Sequence, residues 1–448
     1  MITREVIDRE YSELENILKN WGKGAGKLAV VKAPPGSGKT HTLLIVISYW
    51  VEKEKMRIAI GTQTNAQALD VANRFAKDHP ITPVILWLKS SGSDPAGVHP
   101  RVRIVRKPDE VPDHPCVVVA TVSKYGYATT HNPFDVLAID ESWQMPWEAF
   151  MATAPVSKRF MMIGDPGQIP PVVRVDPKRW ETASRAPHLP APQVVANDSE
   201  LSTQTLWGAL PACRRLPFES VKWIKGFYDF DFQPYAPRGI RGLQIGTKKL
   251  FDPAIVSLLS EASPIGIQIP TPEYGPPLEL DKELAQTITD FANHLLESKS
   301  KICDNDKGEW RAIKASDIGI SATHRILNAE ILRGLKSEYR RDGLRVETPE
   351  RWQGLQRAVM LIAHPLSGVV KPSGFDLDPG RLCVMASRHQ SALFVFSRDH
   401  VTETLEKYIP AAEQSFGKPD HVGSGLSANR QFWNGLFEAG RVVTVKTK

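Results

Sequence analysis

"LAVVKAPPGSGKTHTLLIVISYW", residues 28–50, decides how this chain folds. Its opening "LAVVKA" is a compact apolar run with β-branched residues, the composition of a short buried strand. Its close, "THTLLIVISYW", is an apolar helix pattern. Between them Ala33 to Thr40, "APPGSGKT", fits the phosphate-loop pattern GxxxxGK[ST], with Ala33 in place of the first glycine. The chemistry needs this order of strand, loop and helix. The backbone of Pro35, Gly36, Ser37 and Gly38 is expected to turn its N–H groups toward phosphate oxygens, with the glycines permitting the tight turn and the following helix adding its positive N-terminal end. Lys39 would reach the β- and γ-phosphates, and Thr40 would offer its hydroxyl to Mg²⁺. A Gly-rich turn followed by Lys-Thr by accident has no reason to sit between a strand and a helix.

Outward from this stretch the same alternation recurs: "RIAIGTQ" before "NAQALDVANRFAKD", "CVVVATV" before "SKYGYA", "FDVLAID" before "ESWQMPWEAFMA", and "RFMMIGD". Short apolar strands alternating with helices predict a parallel sheet covered on both faces. Upstream, residues 4–20 carry apolar residues at helical spacing, so residues 1–26 are expected to open the chain as an amphipathic helix. Residues 27–171 then form a first α/β domain, interrupted at about 88–115 by a small insertion with at most a strand at "VRIVRK". The Pro-rich stretch 172–204 is expected to link two domains. Alternation resumes in "DIGISAT", "RILNAEILRGLKSEYRR", "GLRVET", "RAVMLIAHP", "RLCVMAS" and "SALFVFS", which predicts a second α/β domain over 205–410. An irregular insertion is expected at about 230–310, and a C-terminal extension at 411–448.

A phosphate loop that binds Mg·NTP needs a second anchor for the metal on a neighbouring strand. Asp140, at the end of "FDVLAID", is placed to supply it. Glu141 beside it can accept a proton from an attacking water, the general-base role in hydrolysis. Gln144, three residues on, completes Asp-Glu-x-x-Gln.

At this point the sequence resembles the superfamily 1 helicases, with the branch that includes the nonsense-mediated-decay RNA helicase as the nearest in flavour. "GDPGQIPP", Gly164 to Pro171, is similar to motif III, whose glutamine would be Gln168. "RRLP" is similar to the motif that opens the second domain, with Arg214 at its arginine. "VETPERWQGLQ" resembles motif V and contains Gly354 and Gln356, while "VMASRHQSALFVF" resembles motif VI with Arg388 at the arginine position. Gln356 departs from the family, which has glutamate there in contact with the nucleotide sugar. The resemblance implies two RecA-like P-loop NTPase domains with parallel sheets and short insertions. It further implies ATP and Mg²⁺ between the domains, Arg214 and Arg388 as arginine fingers, and 5′-to-3′ movement along single-stranded nucleic acid.

"GTQTNAQA" resembles motif Ia, making Thr64 and Asn65 candidates for a phosphate contact. Thr121 and Ser123 of "ATVSKYG", Thr348 of motif V, and Thr323 or His324 of "SATHR" would supply further grips, since hydroxyls and amides at strand ends hold phosphates without reading sequence. The same residues can instead cap helices, and for Asn65 and Ser123 the two roles are equally expected. DNA and RNA remain alternatives, because a phosphate-tracking channel need not test the 2′-hydroxyl. Two competing functions use the phosphate loop: a nucleic-acid-stimulated ATPase switch that recruits or remodels a protein partner without unwinding, and a phosphotransferase. The second has no use for Arg214 and Arg388.

The whole-chain properties agree with a globular protein in a reducing compartment. The 448 residues are 42% apolar and 24% charged, with a net charge of +6 that suits a polyanionic partner. The four cysteines, Cys116, Cys213, Cys303 and Cys383, lie far apart with no metal-ligand spacing. No apolar run approaches a membrane span, and the start "MITREVIDRE" lacks the apolar core of a secretion signal, so a cytoplasmic monomer is expected.

Overall fold

A computed structural model of the chain describes residues 3–127, 132–172, 177–180, 183–277, 280–409 and 421–445. They fall into two compact units, one of residues 1–166 with 170–211, the other of residues 167–169 with 212–448.

In the first unit eight strands form one sheet among the described residues. They are β1 (Leu28–Lys32), β2 (Ile58–Thr62), β3 (Val84–Trp87), β4 (Val102–Val105), β5 (Val117–Thr121), β6 (Val136–Ile139), β7 (Phe160–Gly164) and β8 (Thr205–Ala209). The order is β4-β3-β5-β2-β6-β7-β1-β8 and every pairing is parallel. The central strands are wholly buried, which is why they read as continuous apolar runs rather than as an alternation. Helix α1 (Arg4–Lys23) buries Ile7, Tyr11, Leu18 and Trp21 at helical spacing and starts at Thr3, whose hydroxyl accepts the Val6 N–H. Helices α2 (Lys39–Glu52) and α3 (Asn65–Asp78) follow β1 and β2.

The strand expected at "VRIVRK" in the stretch 88–115 is β4, which pairs with β3 at the edge of the parallel sheet. One expectation is corrected here. The stretch 172–204 is not a linker throughout, although residues 173–176 and 181–182 lie outside the described set. Helices Ala191–Asn197 and Ser199–Thr203 lead into β8, Val194 and Val195 are fully buried, and β8 pairs with β1 in register Leu28 to Thr205. The prolines misled because Pro192 sits in the first turn of its helix, where a missing N–H costs nothing.

In the second unit six parallel strands form the main sheet: β9 (Ile265–Ile269), β10 (Ile318–Ser321), β11 (Arg345–Glu347), β12 (Arg357–Ala363), β13 (His389–Arg398) and β14 (Val442–Thr444). Their order is β11-β10-β12-β13-β9-β14. The stretch 230–310 is therefore not an insertion as a whole. It carries the buried strand β9 and the helix Lys282–Glu297, whose Leu284, Ile288, Phe291 and Leu295 join the core; among the described residues, what stands apart from the main sheet is the short parallel pair of Gln233–Pro234 with Ala212–Cys213 and the small antiparallel sheet of Gly242–Gln244, Lys301–Cys303 and Arg311–Ala312. The C-terminal residues are likewise part of the unit. Residues 410–420 lie outside the described set, but Phe432, Trp433 and Leu436 are buried in the core and β14 pairs with β9.

Charges also tie this unit together. The Arg398 guanidinium, 1% exposed, grips the Asp281 carboxylate through Nε at 2.7 Å and Nη2 at 2.6 Å, the two-pronged geometry that lets a buried ion pair recover its desolvation cost. Among the described residues no helix is long and apolar enough to cross a membrane.

Candidate active site

The loop between β1 and α2 takes the conformation its glycines allow. Gly36 has φ 61° and Gly38 φ 83°, a region that L side chains enter only with strain, and Gly38 is the residue from which α2 starts. The loop is pinned at both ends. Ala33 N–H donates to the Gly164 carbonyl at 2.8 Å, and the Tyr11 hydroxyl donates to the Ser37 carbonyl at 2.7 Å. Helix α1 is thereby a brace for the phosphate loop, a role that nothing in the local sequence around Tyr11 announces.

Four of the expected residues meet at the end of this loop. Lys39 Nζ lies 2.8 Å from Glu141 Oε1, and Thr40 Oγ1 donates to Asp140 Oδ2 at 3.0 Å. Asp140 Oδ1 accepts the Glu141 N–H at 2.9 Å. The carboxylates come from β6, which is not adjacent to β1: β7 runs between them. The one-strand gap leaves room for β7 to deliver a third acid, Asp165, which is 2% exposed and acts on Lys39 electrostatically. Asp165 is marked in the sequence only as an acid directly after "RFMMIG", which repeats the pattern of Asp140 after "VLAI".

Glu141 has φ 54° and ψ 42°, a left-handed conformation that costs a non-glycine residue on the order of 1 kcal/mol or more. The turn that follows, Ser142–Gln144, closes with Gln144 N–H donating to the Glu141 carbonyl at 2.9 Å. The kink sends the carboxylates of successive residues to different partners, Asp140 to Thr40 and Glu141 to Lys39. Gly164 matters here too, because a Cβ on it would come within 2.9 Å of the Ser142 nitrogen.

The electrostatics follow from this crowding. Burial, then the neighbouring Glu141 carboxylate, push the Asp140 carboxyl up to about 6, with Lys39 and the Thr40 hydrogen bond partly offsetting them. Burial alone would push the Lys39 ammonium down, but Glu141, Asp140 and Asp165 outweigh it and the net shift is upward. An extra cation is what so acidic a cluster can accept. Among the described residues no group of three or more His, Cys, Asp or Glu is arranged to hold a metal by itself. Mg²⁺ bound mainly through phosphates and water needs only one or two protein ligands, so Thr40 and Asp140 fit it.

The remaining expected residues lie elsewhere. Gln168 is buried but belongs, with Gly167 and Ile169, to the second unit, not to the first as its place in the sequence suggests. There the Ile169 carbonyl accepts from Gln353, and a Cβ on Gly167 would strike the Tyr228 ring. Arg214 lays its guanidinium over the Tyr235 ring at 3.9 Å. Arg388 is 1% exposed, and its Nε and Nη2 find no hydrogen-bond partner among the described residues. A buried guanidinium with unmet donors is a standing demand for an anion. Gly354 has φ 77°, and Gln356 Oε1 accepts from Arg215 Nε at 3.0 Å.

The hydroxyl candidates divide. Thr64 caps α3, accepting the Gln67 N–H at 3.2 Å, and Asn65 is the exposed first residue of that helix. Thr121 accepts the Lys124 N–H at 3.2 Å at the start of Val122–Tyr127, leaving Ser123 exposed on that helix. Thr348 is the N-cap residue of Pro349–Trp352 but makes no side-chain cap, and Thr323 is half-buried before the helix Arg325–Gly334.

Residues 23–174 match the AAA domain family. The match covers about a third of the chain and the whole phosphate loop with its carboxylates, and the first unit has a P-loop nucleotide-binding fold. No curated protein matches the sequence. Similar solved structures include the PRRSV helicase, 13% identical with a TM-score of 0.40 over 84% of this chain and 53% of that one. Another is the arterivirus nonstructural protein 10 helicase, 14% identical, TM-score 0.43, covering 85% of this chain and 61% of that one. Its complex with DNA is 15% identical, TM-score 0.41, covering 87% and 65%. This chain thus spans 53–65% of the length of those helicases.

Proposed function

We propose that this chain is an ATP-driven superfamily 1 helicase or translocase that hydrolyses Mg·ATP and moves 5′ to 3′ along single-stranded nucleic acid. The observation that carries the hydrolase part is the pairing of Lys39 with Glu141 and of Thr40 with Asp140 at the end of one phosphate loop. A triphosphate in the loop competes for the Lys39 ammonium and frees the Glu141 carboxylate. Glu141 then takes a proton from a water whose oxygen bonds to the γ-phosphorus as the bond to the bridging oxygen breaks. Thr40 and Asp140 would hold Mg²⁺, which neutralises phosphate charge when bound. Arg388, with its unmet donors, and Arg214 answer the charge that develops on the transferred group.

The translocase part rests on the ordered motifs around Gln168, Arg214, Gln356 and Arg388, and on Thr64, Asn65, Thr121, Ser123, Thr323 and Thr348 as grips on phosphate. The net charge of +6 supports a polyanionic partner. The test is hydrolysis of Mg·ATP by the purified chain alone, with single-stranded DNA, and with single-stranded RNA, beside Glu141→Gln. Stimulation by one polymer is expected, with the variant slower by roughly 10²- to 10⁴-fold while still binding nucleotide. Hydrolysis indifferent to both polymers would overturn the translocase reading. Stimulated hydrolysis without separation of any duplex would replace it with an ATPase switch acting on a protein partner.

A further inference from the structure

Arg388 owes its position to contacts that its own side chain does not make. Its carbonyl accepts the Arg357 N–H at 2.9 Å, where β12 and β13 meet. The carbonyl on its other side, that of Ser387, accepts Arg215 Nη1 at 3.1 Å. The same Arg215 donates through Nε to Gln356 Oε1 at 3.0 Å. Segment 356–357 therefore holds both carbonyls that flank the Arg388 α-carbon, one directly and one through Arg215. Arg215 is itself fixed from behind. Arg241 donates to the carbonyls of Arg214 and Arg215, and its Nε is held by Asp306 Oδ1 at 2.9 Å.

We propose that Arg215 is a positioning residue for Arg388 and that Gln356 is the anchor that aims it. The inference rests on the hydrolase reading of the site. A buried guanidinium without acceptors is free to swing toward any polar group nearby, so its backbone must be held for the side chain to wait where an anion arrives. Arg215 provides that hold with two donors in the fixed fork of one guanidinium, a geometry that the single ammonium of lysine cannot reproduce. The amide at 356 also acquires a purpose. It orients Arg215 as a neutral acceptor, whereas a carboxylate there would neutralise Arg215 and draw its guanidinium toward residue 356. Gln356 in this chain serves an arginine rather than a nucleotide sugar.

The test compares wild type, Arg215→Ala, Arg215→Lys, Gln356→Glu, Arg388→Ala and the double variant Arg215→Ala with Arg388→Ala. The readouts are kcat and KM for Mg·ATP, affinity for a fluorescent nucleotide, and thermal unfolding. Arg215→Ala is expected to lower kcat about tenfold with KM nearly unchanged, because both Arg215 hydrogen bonds are lost and the Arg388 side chain then meets the charge of the transition state less well aimed. Arg388→Ala is expected to lower kcat by roughly a thousandfold. The double variant should be no slower than Arg388→Ala, because Arg215 acts only through it. Arg215→Lys and Gln356→Glu, which keep a polar group in place, should lower kcat in the same sense if Arg215→Ala fails to fold.

A double variant slower by the product of the two single effects overturns the proposal, as does wild-type kcat in all three variants at 215 and 356. Hydrolysis untouched by Arg388→Ala would overturn it too while leaving the hydrolase reading intact. A wild-type chain that hydrolyses no nucleotide would overturn both.

Discussion

Asp140→Asn should make the first unit more stable, although it removes a charged hydrogen-bonding residue from the centre of the site. The side chain is 6% exposed and its carboxyl is pushed from 3.8 to about 6 by burial and by Glu141. At about 1.4 kcal/mol per pKa unit, ionising it in the folded protein costs up to about 3 kcal/mol. Asparagine keeps both hydrogen bonds: its oxygen can accept the Glu141 N–H, and the Thr40 hydroxyl can rotate to accept from the new amide. Because the folded state binds the proton more tightly, the Asp140 contribution is most favourable below the unfolded value of 3.8 and is lost as pH rises through about 6. The variant's advantage should accordingly be absent near pH 3.5, grow between pH 4 and 6, and level off at up to about 3 kcal/mol above that. Urea unfolding in metal-free buffer, followed by hydrogen-exchange protection of the Val136–Ile139 amides, reports on this unit alone. Equal or lower stability of Asp140→Asn at pH 8, or an advantage that persists in acid, would refute the account. Mg²⁺ with nucleotide should narrow or reverse the gap, since a carboxylate gains more from the cation than the neutral amide does.

Tyr11→Phe removes the brace on the Ser37 carbonyl and should raise KM for nucleotide severalfold at a stability cost of about 1 kcal/mol; an unchanged KM in steady-state assays would show that α1 packs on the loop without steadying it. Arg398→Met strands Asp281 in the second core and should cost about 3–5 kcal/mol, most of it recovered in Arg398→Met with Asp281→Leu; equilibrium unfolding of both variants decides this. Gly319→Ala would place a Cβ 2.5 Å from the Trp352 ring, and β10 should lose about 1–3 kcal/mol in exchange protection; wild-type protection would mean that Trp352 can move aside.

The parts of this fold legible in the sequence are those whose signal is local. The strand, loop and helix of 28–50 depend on neighbours a few residues apart, as does the Asp140-Glu141 pair at the end of "VLAI". What escaped depends on partners far along the chain. The strand "IGIQI" is five residues between prolines, and only its pairings with β13 and β14, more than a hundred residues later, make it interior to the sheet. Pro192 looks like a linker residue until the burial of Val194 shows its helix packed on the first sheet. The left-handed Glu141 carries no sequence mark at all, since glycine is the residue that advertises such a conformation. The same limit applies to Gln356, whose partner Arg215 lies 141 positions away.

Strand β14 has a consequence for how the protein is made. It covers the outer edge of β9, yet the ribosome reaches residue 444 only after 175 further residues have followed Ile269. At about 5–20 residues per second that interval is roughly 9–35 s. Throughout it, β9 offers a row of unpaired backbone groups to any neighbouring nascent chain. Slowing translation across residues 270–440 should therefore lower the soluble yield, and a chaperone that shields strand edges should restore it.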